Sequence, residues 1–589
     1  MQSDSRSMTD HMDCLEVEVD NAGLPALPPL RVMRKIFDAF FEHIYPIPVF
    51  SFLHRASLLQ LYQSGRADQG LLFAIIALTV LLTDVDAETG VSASRYMDFA
   101  QGPVLQQLER PSVTKLQVLV LAIRFRGLIR QRAMAFMLLP TATRMAYILR
   151  LNYENPERSA VARESNRRLM WSVFTLDGMM SGGLPDFRLC APETLHIQLP
   201  CNEENFELGV DETTPDLETS QSASGQFPAN TGLVALYIRI SWMRSRILQH
   251  TKRVVAARSH DTEEIERSIT SLGRDLAAIA ACLPAKYVFS ANNLRLRAFS
   301  SRLSAFVLFH LWWHQCHCDL FRIALSGLRE ALPQSTTQRL TPEFVSHCRR
   351  QCFDHGASII EIFTTLQSLP IDSLFLDWDS VACAYQSARY LFYGFQSDSQ
   401  GCGMSAGKVK SSAAVCLSVV QGRYLPHQIT PEKTTDLATM VERDLSNTSA
   451  VLEDQDSNRC PRHGDRPTDL SPASQQILSH QSIIFDVNIQ PEGDEVAIPP
   501  TLPQCTPRMK MSGTTTARSG VSTSGQEIPR FPEFDHPIDF SSLQPDTSVF
   551  DALFDESMYH DLYGFDNMAW FSEQSWTPGS NEDPCESVV

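Results

Sequence analysis

Histidine and cysteine stand close together twice in this sequence. HQCHCDLFRI holds His314, Cys316, His317 and Cys318, and His347, Cys348, Cys352 and His355 form a second group. Imidazole and thiolate ligands at i and i+4 share one face of a helix and can chelate zinc, so each group invites a metal reading. The flanking LFHLWW and CDLFRIAL runs are strongly amphipathic, which suits plain core helices whose cysteines pack as small apolar groups. Packing accounts for both groups, and no metal ligand is assigned. Other chemistry has less to stand on. The chain contains no G-x-S-x-G elbow, H-E-x-x-H helix or P-loop. GCGMSAG, from Gly401 to Gly407, has the glycines of a phosphate cradle without its spacing or a preceding strand, and reads as a loop. No catalytic or cofactor-binding residue emerges, and the chain is expected not to be an enzyme.

The C-terminal tail offers a different chemistry, that of partner binding. Residues 531–589 hold thirteen Asp and Glu and no Lys or Arg. Within TSVFDALFDESMYHDLYGFDNMAWF, Phe550, Leu553, Phe554, Met558, Leu562 and Phe565 recur at helical spacing among Asp551, Asp555, Glu556, Asp561 and Asp566. Apolar and aromatic groups kept in water by surrounding acids can fold onto a hydrophobic groove, as acidic activation segments do. A helix docked on the body of the same chain is the competing explanation. The acids surround the apolar face and a polar linker precedes it, which favours the activation segment.

A third pattern lies between Arg163 and Pro200, in RESNRRLMWSVFTLDGMMSGGLPDFRLCAPETLHIQLP. Leu169, Val173, Leu176 and Met180 make one helical row, and Met170, Trp171 and Phe174 another, so the apolar stripe is wide and the helix is expected to be buried. Gly182, Gly183 and Pro185 then end it. This segment resembles the signature of the fungal-specific transcription factor domain, the middle region of regulators that usually carry a binuclear zinc cluster. The matching positions are Arg167, Arg168, Trp171, Asp177, Ser181, Gly183, Pro185, Leu199 and Pro200. Gly178 stands where the family usually has a basic residue, and Glu193 where Asp is more usual. YPIPVFSFLHRASLL also resembles the start of that domain, and Ala142, Arg144, Ala146, Leu149 and Leu151 fit a further helix of it. The resemblance covers about residues 30–400 and is most specific between 112 and 200.

The resemblance implies a nuclear transcription regulator acting on RNA polymerase II genes, such as those of a metabolic pathway or gene cluster. Its helical body would mediate regulation through dimer contacts, intramolecular inhibition or a small-molecule effector, and its tail would recruit coactivators. Family members contact DNA through the zinc cluster, roughly C-x2-C-x6-C, a loop, then C-x2-C and a further Cys. Only Cys14 lies in the first 189 residues, so this sequence shows no such frame. Zinc is thus expected only if a preceding cluster belongs to the protein, and DNA contact would otherwise pass through a partner. A cofactor or inhibitor that never touches DNA, or a small-molecule-binding helical protein, is the alternative.

The elements that would position these residues are helices. At 589 residues with 43% hydrophobic content, the chain can bury a substantial core. Ile36, Phe37, Phe40, Phe41 and Ile44 recur at helical spacing from Leu30 until Pro46 and Pro48 interrupt. Further helices are predicted at 69–82, 112–125, 132–152 with a kink or break at Pro140, 233–258, 262–282, 294–323, 342–369, 380–395 and 413–424. Strand signals are few and no solenoid period repeats, so the fold class is all-α, an irregular multi-helix domain. The organisation expected is a disordered N-terminus at 1–29, a regulatory body at 30–424, a Ser/Thr/Pro-rich linker at 425–530 and the acidic tail at 531–589.

Charge follows the same division. Net charge is −18, but thirteen of the 68 acidic residues lie in the tail, leaving 55 against 50 basic ones in the first 530 residues. A nearly neutral body offers no broad nucleic-acid surface. The opening residues resemble neither a secretory nor a mitochondrial presequence, and the most apolar window, 71–82, is too short to span a bilayer, so no membrane partner is expected.

Overall fold

Small polar caps set where several of the helices begin. The computed structural model describes residues 27–442 apart from 218–226, 229, 258–259, 326–330, 372–373, 398–405 and 426–433. The tail residues Phe550, Leu553, Phe554, Met558, Leu562 and Phe565 fall outside the described residues. Sixteen helices run α1 (Leu30–Ala39), α2 (Arg55–Gln63), α3 (Gln69–Leu82), α4 (Ala93–Gln106), α5 (Val113–Leu128), α6 (Arg132–Ile148), α7 (Ala160–Ser181) and α8 (Glu203–Leu208), then α9 (Leu233–Ala256), α10 (Thr262–Ala281), α11 (Ala291–Leu296), α12 (Leu303–Phe321), α13 (Gln334–Thr337), α14 (Pro342–Gln367), α15 (Trp378–Ser397) and α16 (Ala406–Val420). A further helix, α17, covers 434–442. Asp68 caps α3 by accepting from the Leu71 N–H at 2.8 Å, and Ser92, Ser112, Ser159, Asn202 and Asp261 do the same for α4, α5, α7, α8 and α10.

The fold is all-α, and extended pairing among the described residues is confined to a bridge between Tyr153 and His196. The helices pack largely on near neighbours in sequence. Contacts run from α3 to α4 and α5, then through α6, α7, α9 and α12 to α14, α15 and α16. Helix α5 lies deepest: from Val113 to Leu128 every residue but Lys115 is buried. A helix apolar nearly all round, such as LQVLVLAI, can only be satisfied inside a bundle.

Several boundaries differ from the sequence-based expectation. The predicted 294–323 helix is two, α11 and α12, separated by turns closed by Ser300 N–H to the Arg297 carbonyl and Leu303 N–H to the Ser300 carbonyl. Helix α4 carries Gly102 and Pro103 and so reads as a turn, yet Tyr96, Met97, Ala100 and Val104 bury one face of it. Helix α6 runs without a break through Pro140. Helix α17 lies in the stretch expected to be linker: Leu437 is buried, and Asp436 accepts from Arg389 Nη1 at 2.7 Å. The folded body therefore extends beyond residue 424, because α17 can cover apolar surface that α15 exposes.

Candidate functional site

Glu164, on the second turn of α7, is the centre around which the predicted signature residues assemble. Its carboxylate accepts from Arg168 Nε at 2.8 Å, from Arg167 Nη1, and from the Cys201 N–H at 3.0 Å. Arg168 goes on to donate to the carbonyls of Cys201 at 2.8 Å and Ser51 at 3.3 Å, and lies 4.4 Å over the Phe206 ring. Arg167 donates through Nε to Glu154 at 2.8 Å, and Glu154 also takes the Gln198 N–H at 3.1 Å. Trp171 Nε1 donates to the Gln198 carbonyl at 2.7 Å. Burial works against the Arg168 charge, but Glu164, with Tyr45 and Cys201 behind it, holds the guanidinium above its usual range.

At the other end of the helix, Asp177 repeats the arrangement. It accepts from the N–H groups of Leu189 at 3.1 Å and Cys190 at 2.9 Å and pairs with Arg188 Nε at 2.9 Å. Burial pushes its carboxyl up against the opposing pull of Arg188 and the two N–H donors. Ser181 closes the last turn, its carbonyl accepting from the Leu184 N–H at 2.9 Å, and Pro185 opens a short 3-10 turn, Pro185–Phe187. Gly182 and Gly183 hold φ of +51° and +85°. The signature thus fastens an extended strap, residues 188–201, along α7 by bonds from side chains to backbone. A strap with no sheet to join needs such partners for its buried N–H and C=O groups.

Two glycines explain how closely α7 approaches α9. A Cβ on Gly183 would stand 2.5 Å from the Leu248 Cβ, and one on Gly178 would stand 2.8 Å from Ser245 Oγ. The departure from the family pattern at Gly178 therefore has a packing reason, since the face where others carry a basic side chain here meets α9.

The histidine and cysteine groups converge only in part. Helices α12 and α14 bring His314 and His355 together with their Nδ1 atoms 2.8 Å apart, and the His317 and His355 rings stack at 3.8 Å. Cys318 and Cys352 instead donate to each other's backbone carbonyls, and Cys316 to that of Ile240. Among the described residues no group of three or more His, Cys, Asp or Glu is arranged to hold a metal ion.

Sequence reasoning missed a buried ionic network in the centre of the bundle. Asp319 on α12 accepts from Arg244 Nε of α9 at 2.8 Å and from Gln315 at 3.0 Å, while Arg124 of α5 pairs with Asp377 just before α15. Arg244 also lies 4.2 Å over the Trp312 ring, whose Nε1 donates to Tyr237 at 3.0 Å. Burial raises the Asp379 carboxyl to about 6, against Arg124 and Arg244. The space beside Arg244, bounded by Phe174, Gly178, Ser245 and Leu248, amounts to about 10 Å³, room for one water-sized sphere and for no substrate. Charged residues inside otherwise apolar helical stripes were the available signal.

Residues 37–249 match the family model of the fungal specific transcription factor domain. That stretch of the chain is similar to a fungal specific transcription factor domain. Among curated proteins, the chain is similar to the Zn(2)-C6 fungal-type transcription factors FTF1c and FTF1a of Fusarium oxysporum f. sp. lycopersici. Identity is 23% over 380 residues for FTF1c (59% of this chain, 39% of the relative) and 23% over 394 residues for FTF1a (61% and 36%). FTF2 of the same organism is 22% identical over 375 residues, 59% of this chain and 34% of the relative. The chain thus spans less than two fifths of the length of these relatives. No solved structure matches it. The fungal specific transcription factor domain, as matched, ends within α9, so the ionic network ties it to helices beyond it. The described cysteines are all free thiols, at most two to an element and most of them buried, and do not fit the six-thiolate set that a Zn(2)-C6 cluster requires.

Proposed function

We propose that this chain is a nuclear transcription regulator and not an enzyme. Its helical body serves as the regulatory module, and its acidic tail contacts coactivators of RNA polymerase II transcription. The observation that carries this reading is the family match over residues 37–249, supported by relatives whose names describe Zn(2)-C6 transcription factors. On this reading the signature residues Arg167, Arg168, Trp171, Asp177, Ser181, Gly183 and Pro185 are structural: they hold the strap against α7. DNA contact is made by a zinc cluster outside this sequence or by a partner protein, since the described donors do not suit such a cluster.

The tail carries the outward step. Phe550, Leu553, Phe554, Met558, Leu562 and Phe565 would bind as one face of an induced helix in a coactivator groove, with the surrounding acids keeping the free segment in solution. Fusing residues 531–589 to an unrelated DNA-binding domain tests this. Reporter transcription should rise, and the F550A/F554A/L562A triple variant should lose most of the rise. An inert fusion would remove the tail from the mechanism.

A further inference from the structure

A cleft of about 500 Å³ opens where α6 turns back toward α7. Its walls come from the start of α5 (Ser112, Val113), the end of α6 and the turn after it (Ile148, Arg150), the loop through Tyr153 and Arg158, and the first turns of α7 (Arg163, Arg167). The volume lies within the range of about 300–1,000 Å³ found for small-molecule sites.

The charge on these walls is one-sided. Four arginines line the cleft, at 150, 158, 163 and 167, against one carboxylate, Glu154, which Arg167 and the Gln198 N–H already engage. Arg163 pairs with Asp211 and donates to the Arg158 carbonyl at 3.3 Å. Arg150 and Arg158 have no carboxylate partner among the described residues. Asn155, Asn166 and the Ser112 hydroxyl add neutral donors. The N-terminus of α5, whose first turn holds no acidic residue, also points its partial positive charge here. Two of the four arginines, at 150 and 158, thus leave positive charge in the concavity that no described carboxylate offsets.

The backbone fixes where Arg150 stands. Arg150 has φ +54°, the left-handed conformation normally given to glycine just after a helix, and it closes the α6 end while the Leu151 N–H bonds the Ala146 carbonyl at 3.0 Å. A side chain there costs free energy that glycine would not, a cost that Arg130 also bears at the end of α5 with φ +66°. Arg150 lies 5.3 Å over the Tyr153 ring, which stacks on His196 at 4.8 Å. The guanidinium is thus held at the cleft by a flat aromatic support.

We infer that this cleft binds a small polyanion, a metabolite bearing phosphate or carboxylate groups, with Arg150 and Arg158 as its principal anchors and Tyr153 and Ile148 as apolar contacts. Planar guanidinium groups recognise both kinds of anion through paired N–H donors. The inference stands apart from the regulatory reading, because binding is measured on the purified chain without any reporter.

Calorimetric titration of the full chain with inorganic pyrophosphate and, separately, with citrate distinguishes phosphate from carboxylate ligands. Saturable one-to-one binding of either anion is expected. The R150S/R158S variant should bind at least ~10-fold more weakly, the loss expected when charge-assisted bonds are removed. R274S, on the exposed face of α10, should bind as the wild type does. Circular dichroism and the urea midpoint of R150S/R158S should match the wild type, since neither arginine holds an ion pair. Absence of saturable binding by both anions overturns the inference, as does binding that R150S/R158S leaves intact. A third arm uses a 20-base-pair DNA duplex: if only the duplex binds, and R150S/R158S abolishes that binding, the cleft is a nucleic-acid contact and the small-molecule assignment falls.

Discussion

Arg168 on α7 donates through Nη2 to the carbonyl of Cys201 at 2.8 Å while its Nε holds Glu164 at 2.8 Å, so one buried guanidinium joins the helix to the end of the strap. Both side chains are almost wholly removed from water. Removing one partner of such a pair leaves the other charge buried and alone, which typically costs about 3–5 kcal/mol. R168M should therefore lower the unfolding free energy by that order in urea titration. The R168M/E164M double variant should cost less than the two single changes together, because neither charge is then left behind. Additive losses would mean that the two residues act separately.

Asp177 does for the start of the strap what Glu164 does for its end. D177A removes the acceptor of the Leu189 and Cys190 N–H groups and the partner of Arg188. Hydrogen bonds to a charged group contribute roughly 1.5–3 kcal/mol, so a loss of about 3 kcal/mol is expected, concentrated in the strap. Hydrogen exchange should show the amides of Leu189 and Cys190 exchanging faster, with those of α5 changing least. Unchanged protection at 189 and 190 would refute the strap account.

Gly183 tests the approach of α7 to α9. G183A adds a Cβ 2.5 Å from the Leu248 Cβ at a φ of +85°, combining backbone strain with overlap that neither helix can relieve by a rotamer change. Together these predict a cost of ~2–4 kcal/mol. Gly65, at φ +69° with nothing within 4 Å of its would-be Cβ, supplies the control, and G65A should cost less. Equal melting temperatures for the two variants would show that the overlap contributes nothing.

These residues also show what the sequence could and could not convey. The helix from Gln69 to Leu82 was legible because an unbroken apolar run of helical length follows Asp68, which caps it. The α7 signature was legible as a pattern of residue types, but its meaning was not: Glu164, which organises Arg167 and Arg168, carries no mark in the linear chain. Long-range partners such as Arg244 and Asp319, 75 residues apart, depend on which helices cross, and helical periodicity is silent on that. Helix α4 was hidden by Gly102 and Pro103, whose local preference tertiary burial overrides. The arginines at 150, 158, 163 and 167 come from a helix end, a loop and another helix start, so only the fold gathers them.

The buried histidines of α12 and α14 give the chain a defined sensitivity to acid. Burial lowers His310 and His317 to about 4 and His355, beside His317, to about 3, and His314 is held well below its ordinary value of 6.5 by burial and by His355. In the unfolded chain these imidazoles take up protons near pH 6.5, whereas the folded state excludes them until about pH 4 or below. Between those limits the unfolded state binds more protons, so stability is complete above pH 6.5 and falls as pH drops toward 4, by up to about 1.4 kcal/mol per pH unit for each histidine. Asp379, raised to about 6, works the other way between pH 6 and 4, as does Asp177, which burial also pushes up, but these are two groups against four. Urea midpoints at pH 7.5 and pH 5 should therefore differ markedly. H317Q, which cannot be protonated but retains a side-chain polar group near the Trp313 carbonyl that His317 Nδ1 engages at 2.9 Å, should shrink the difference. A pH profile that H317Q leaves unchanged would place the acid sensitivity elsewhere in the bundle.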